Sequence, residues 1–219
     1  MANSNTESGS ERRQFLQRHS LPLIIIVIVT FLGFFGSDVT LWLRFDRNAI
    51  LSGEIWRLLT GHLTHLGWSH LVMNAVGLAL IWVLFGQRLS NKRWIQTIII
   101  SALFISLLLL TLNPQLRWYV GFSGVLHAMF VIGCIYDLKT GRWDAKLLLL
   151  IIVAKLAWEQ VIGPLPGSET TAGGTVIVDA HLYGAVAGYL IYRLFKRWDD
   201  KAHSPSLEKT AKPAKRART

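Results

Sequence analysis

Ser123 lies in the stretch Tyr119-Val120-Gly121-Phe122-Ser123-Gly124-Val125-Leu126-His127, at the head of an apolar run that continues to about Tyr136. A serine hydroxyl becomes a nucleophile when a base sits within hydrogen-bond reach. His181 is the natural candidate, near the start of a second apolar run, Val176 to Phe195. Gly121 and Gly124 permit tight turns and close backbone approach. Asn113 and Pro114 break the preceding helix, so residues 113–122 should enter as irregular backbone. Such backbone is tolerated at membrane depth only where it is buried in protein or lines a wet cavity. Ser123 would then open a helix, with its own N–H directed at an oxyanion. The plain alternative is a helix N-cap, and taken alone Ser123 reads that way.

His181 changes that balance, because a histidine within a membrane span is a functional candidate by default. Gly184 and Gly188 lie on its helix face and form a small-xxx-small surface. Gly124 and Ala128 make a matching pair on the Ser123 helix, so the two helices can approach closely. The alternative is a satisfied buried histidine beside a packing motif. Asp179 stands two residues before His181 and points elsewhere. It reads as a helix-start residue, so a Ser–His dyad fits better than a triad.

A polar cluster, Thr60, His62, His65, His70 and Asn74, opens another apolar run. His70 and Asn74 are four apart on one helix face, and two neutral donors near Ser123 could hold a tetrahedral oxyanion. Paired histidines at that spacing bind zinc, but here the second position is Asn and no HExxH motif occurs. His62 and His65 read as structural. Lys155 and Glu159, also four apart, sit inside a further apolar run. They are either a neutralised ion pair facing the bundle or a device that gates or grips a polar substrate segment.

These side chains need spans to carry them. The chain is 52% hydrophobic and only 16% charged, where a soluble domain carries about a quarter charged residues. Six apolar runs can be marked, at 21–36, 68–86, 94–112, 120–137, 145–163 and 175–195. Basic clusters precede the first run and follow the sixth. Others fall between the second and third (Arg88, Lys92, Arg93) and between the fourth and fifth (Lys139, Arg142, Lys146). An even number of spans puts all of them on one side, which predicts cytoplasmic termini. Trp68, Trp94, Trp118, Trp143 and Trp198 fall near run ends, as an aromatic belt would. Cys134 reads as a small buried apolar residue.

The connection 37–67 is too apolar for a solvated loop and should settle in the membrane interface. Residues 163–174 hold two Pro and four Gly and read as a flexible loop suited to a lid. Residues 1–20 and the basic tail 198–219 should be disordered and cytoplasmic, flanking one domain over 21–197. The tail reads as a topology determinant on the inner leaflet rather than a nucleic-acid binder.

Five features give the chain its resemblance to the rhomboid family of intramembrane serine proteases. They are Trp56-Arg57 in the first loop; the pattern His65, His70, Asn74; Gly121-Phe122-Ser123-Gly124; Ala180-His181-Leu182-Tyr183-Gly184 with Gly188; and the six-span layout. The resemblance covers about residues 20–197. It implies an all-α, rhomboid-like six-helix transmembrane bundle with no cofactor and no metal. Ser123 would be the nucleophile and His181 the general base. His70, Asn74 and the Ser123 N–H would form the oxyanion hole, with His65 structural.

Four residues after the serine most rhomboids have a Tyr that stacks on the catalytic His, and this chain has His127. The pattern GxSGxLH resembles the rhombosortase branch, compact bacterial inner-membrane enzymes. That branch is paired with proteins bearing a C-terminal tail of Gly-Gly, a transmembrane segment and a basic end. His127 would either orient His181 or make a local hydrogen bond. A second departure is Phe85-Gly86-Gln87-Arg88, near which rhomboids often have an acidic residue. The implied partners are such tailed substrates and the lipid bilayer, not nucleic acid; the sequence does not give the oligomeric state. The competing readings are a rhomboid protease with other transmembrane substrates and a non-catalytic pseudoenzyme. Pseudoenzymes typically lack the Ser or the His. A small transporter built on Lys155–Glu159 would leave the motifs unexplained.

Overall fold

The computed structural model describes residues 4–203. Of the basic tail expected to be disordered, residues 198–203 are helical, and from residue 204 onward it lies outside the described residues. In chain order the elements are α1 (Ser4–Phe34), α2 (Gly36–Leu43), β1 (Phe45–Asp46), α3 (Arg47–Leu51), α4 (Arg57–Thr60), α5 (Trp68–Phe85), α6 (Asn91–Leu112), β2 (Trp118–Tyr119), α7 (Ser123–Lys139), α8 (Trp143–Val161), α9 (Ser168–Ala172) and α10 (Val178–His203). The fold is an all-α membrane bundle of six long helices, α1, α5, α6, α7, α8 and α10.

Composition and length alone mark α5 and α6 as membrane-crossing, and a third span if α1 from His19 and α2, bent by 116°, count as one. The other three long helices miss that test for reasons that bear on function. α8 carries Lys155 and Glu159, and α10 opens with Asp179 and His181 and ends in charged residues. α7 has only 17 residues, a rise of about 25 Å against roughly 30 Å of hydrocarbon. With Lys139 in its last turn, the shortfall falls at the Ser123 end. α1 begins at Ser4, so the segment 4–20, expected without structure, is helical. It holds the helix-favouring residues Arg12, Arg13, Gln14, Leu16 and Gln17, which extend a helix nucleated by the apolar run.

α7 is the central helix. Its Val125, Ala128, Met129, Ile132 and Cys134 are fully buried, on more than one face, as a helix surrounded by others requires. α10 is its most intimate neighbour, followed by α5, α6 and α8. A Cβ at Gly184 would lie 2.0 Å from the Gly124 carbonyl oxygen, and one at Gly188 would lie 2.5 Å from that of Ala128. Only hydrogen at these positions lets the two backbones meet. The exposed large apolar side chains, among them Val83, Leu80, Leu150 and Val161, face outward, as lipid contact demands.

The connection 37–67 is more ordered than an interfacial loop. Trp42, Leu51, Ile55 and Trp56 are exposed, in keeping with an interfacial setting, but Phe45 and Ile50 are buried. β1 pairs antiparallel with β2, which ties this connection to the segment before Ser123. Arg47 donates to the carbonyls of Leu109, Leu110, Asn113 and Leu116, at 2.8 to 3.0 Å. It thereby satisfies orphan carbonyls at the end of α6. The buried Arg57 donates to Glu54 at 2.6 Å and to the Leu41 and Arg44 carbonyls at 2.9 and 3.0 Å, clamping the connection on itself. Residues 163–174, expected as a flexible loop, contain α9 with Ala172 buried, and Glu169 accepts from the Val176 N–H at 3.2 Å. Arg88, in the stretch where the resemblance lapses, pairs with the buried Asp137 of α7, tying the turn after α5 to that helix.

Candidate active site

Ser123 is the first residue of α7, and Phe122 occupies the cap position. The capping reading of Ser123 therefore fails: its hydroxyl goes to His181, with Oγ 2.9 Å from Nε2. Segment 113–122 is held in place from several sides. Gly121 N–H donates to the Gly61 carbonyl at 3.1 Å, and Tyr119 Oη donates to the Gly121 carbonyl at 2.7 Å. Gly121 has φ +123°, and a Cβ there would come within 2.9 Å of His70 Nε2. Glycine is thus required twice over, for the backbone and for the imidazole resting on it.

His181 is buried, and its other ring nitrogen has a partner that sequence reasoning did not assign. Nδ1 lies 3.0 and 3.2 Å from the two carboxylate oxygens of Glu159. A carboxylate only accepts, so Nδ1 carries the proton and donates. Nε2 is then the lone-pair nitrogen and accepts from the Ser123 hydroxyl. The expected dyad is in this structure a three-residue chain, Ser123–His181–Glu159. Asp179, the acid weighed earlier, accepts instead from Asn113 Nδ2.

His127 resolves both ways at once. Its ring stacks on His181, with centroids 4.3 Å apart and planes 17° apart. Its Nδ1 donates to the Ser123 carbonyl at 2.7 Å, so its Nε2 is an acceptor and faces Lys155 Nζ at 3.1 Å. Lys155 Nζ also donates to Glu159 Oε2 at 2.7 Å and lies 3.4 Å from His181 Nδ1. His127, Glu159 and His181 present potential metal ligands within 4.8 Å of one another. They surround the lysine ammonium at hydrogen-bond lengths rather than the roughly 2.0 Å of a zinc–nitrogen bond. The chain's own cation thus sits among these donors.

The α5 pair is adjacent. His70 is buried, and its Nδ1 accepts from the Leu66 N–H at 3.4 Å. Its proton is then on Nε2, the nitrogen beside Gly121 and the start of α7. Asn74 is buried one turn on, and its Nδ2 donates to the His70 carbonyl at 2.9 Å. That bond uses one of its two amide hydrogens. His65 meets His70 edge-to-face, with centroids 5.0 Å apart, and neither of its ring nitrogens has a partner among the described residues. His62 binds the Ala102 carbonyl and Ser106 Oγ, each at 3.0 Å, and burial pushes its imidazole down to about 4. It stays neutral and serves as a tie between the first connection and α6.

Fold and site together define a helical membrane protein with a serine–imidazole pair built into its bundle. The family described as Rhomboid domain matches residues 52–198, and the chain belongs to the rhomboid family. It is also similar to the Bacillus subtilis (strain 168) protein named "Putative rhomboid protease YdcA". The two are 22% identical over 184 residues, 81% of this chain and 89% of that protein.

Proposed function

We propose that the protein is an intramembrane serine endopeptidase that cuts membrane-anchored proteins near a C-terminal Gly-Gly transmembrane tail. The observation that carries the chemistry is the 2.9 Å contact between Ser123 Oγ and the unprotonated Nε2 of His181. Ser123 Oγ attacks the scissile carbonyl carbon and His181 Nε2 takes the hydroxyl proton. The oxyanion is met by the Ser123 N–H, His70 Nε2–H and the remaining amide hydrogen of Asn74. As the C–N bond breaks, His181 gives its proton to the leaving amine. Water then attacks the acyl-enzyme, losing its proton to His181, which passes it to the departing Ser123 Oγ and restores the hydroxyl.

The Gly-Gly preference rests on the likeness of Gly121 to His127 to the rhombosortase pattern. Glycines are weak helix residues, so a Gly-Gly tail unwinds at low cost when its backbone must reach Ser123. The basic clusters support a multi-pass protein of the bacterial inner membrane with both termini cytoplasmic.

The test is co-expression with a Gly-Gly-tailed reporter and with a second transmembrane reporter lacking the glycines. The parent chain should process the first and spare the second, while Ser123→Ala and His181→Ala process neither. Processing undiminished in Ser123→Ala would end the protease reading. Equal processing of both reporters would leave a rhomboid protease of broader substrate range. Fluorophosphonate labelling at Ser123 separates an enzyme from a pseudoenzyme.

A further inference from the structure

We propose that Glu159 is the positioning residue of the Ser123–His181 pair, held in place by Lys155. The inference rests on the serine protease reading above. Glu159 Oε2 lies 3.0 Å from His181 Nδ1, and the carboxyl side chain is 3% exposed. A buried carboxylate facing Nδ1 fixes the imidazole in the tautomer whose Nε2 accepts from serine, and it stabilises the imidazolium that forms when the proton is taken. His127, stacked at 4.3 Å on the ring, limits its tilt, and Glu159 fixes its rotation within that plane.

Lys155 makes the arrangement electrically possible. A lone carboxylate in the bundle interior would be costly, and it would draw a proton onto His181 before any substrate arrived. The ammonium at 2.7 Å cancels that charge, so the resting site balances with His181 neutral. When Ser123 attacks, the new imidazolium and the oxyanion again sum to zero. The same ammonium donates to His127 Nε2, so one cation sets the position of both the carboxylate and the stacking ring.

The experiment measures fluorophosphonate labelling of detergent-purified protein, which reads nucleophile activation without reference to any substrate. Glu159→Gln keeps shape and volume, but its amide can donate to Nδ1 and favour the wrong tautomer. Labelling should slow by about 100-fold or more, and in reporter cleavage the loss should fall on kcat with KM within about threefold. Glu159→Asp, which keeps the charge, should recover part of the loss. Glu159→Gln also strands the Lys155 ammonium, so Lys155→Met/Glu159→Gln is the folding control. It should restore thermal stability while labelling stays slow. Labelling at the parent rate in either Gln variant overturns the proposal, as does a loss that tracks thermal stability alone. If the parent chain labels and cleaves while Glu159→Gln does the same, only this inference falls. If the parent neither labels nor cleaves, the protease reading falls and this inference with it.

Discussion

The α7–α10 contact and α8 are built on opposite principles. α7 and α10 meet backbone to backbone, with Gly184 against Gly124 and Gly188 against Ala128. α8 has only Ala145, Leu156 and Glu159 buried along its 19 residues, with Leu148 and Leu149 packed partly against the core and most of its other apolar side chains exposed. Ser123 and His181 ride on the first pair, and Glu159 on the second. A Ser–His distance must hold within a few tenths of an ångström, and a glycine seam enforces it through rigid backbone. The Glu159 carboxylate is held at the end of a side chain, by Lys155 and His181. The site therefore combines a pair fixed by backbone contact with a carboxylate fixed by side-chain bonds.

Filling the seam should have the largest effect. Gly184→Val would drive methyl groups into the Gly124 carbonyl, which only helix separation relieves. Labelling and reporter cleavage should fall by about a thousandfold or more, with a clear loss of thermal stability. Parent-like activity would show that the seam is not what sets the Ser–His distance. Gly188→Val, one turn further from Ser123, should destabilise similarly but retain measurable labelling.

Lys155→Met sits between the two regions. It leaves seam and serine intact but strands the Glu159 carboxylate, and labelling should fall by about tenfold. His127→Phe should cost less, about threefold, because a ring still stacks on His181 while the bond to the Ser123 carbonyl is lost. The mildest test is amide hydrogen exchange across the bundle. Residues 147–158 of α8 should exchange faster than residues 125–134 of α7, since fewer buried contacts resist opening. Equal protection would erase the distinction between the regions.

Much of the seam was legible in the sequence. Gly184 and Gly188 share a helix face with His181 by spacing alone, and Gly124 and Ala128 mirror them, so periodicity was enough. The bounds of α5, α6, α7 and α8 fall within a few residues of the apolar runs for the same reason. Glu159 was visible as an intramembrane charge beside Lys155, but its partner was not. The search for a third member looked along the chain, to Asp179, two residues from His181. Glu159 is 22 residues away on a helix whose rotation is set by packing. The signal available was its rarity as a carboxylate inside an apolar run with a cation one turn back. The ordered connection 37–67 was hidden for a related reason. Arg47 and Arg57 work by reaching backbone carbonyls far along the chain, and side-chain patterns do not reveal such targets.

His127 has one further consequence. Both its ring nitrogens are engaged, Nδ1 as donor to the Ser123 carbonyl and Nε2 as acceptor from Lys155. It has no lone pair left over, although it lies flat against His181. A proton taken up by His181 cannot hop to the neighbouring imidazole unless the ammonium first lets go. Under the proposed protease chemistry the stacked ring is thus no proton acceptor for His181, and a proton taken up at Nε2 stays available to the leaving group.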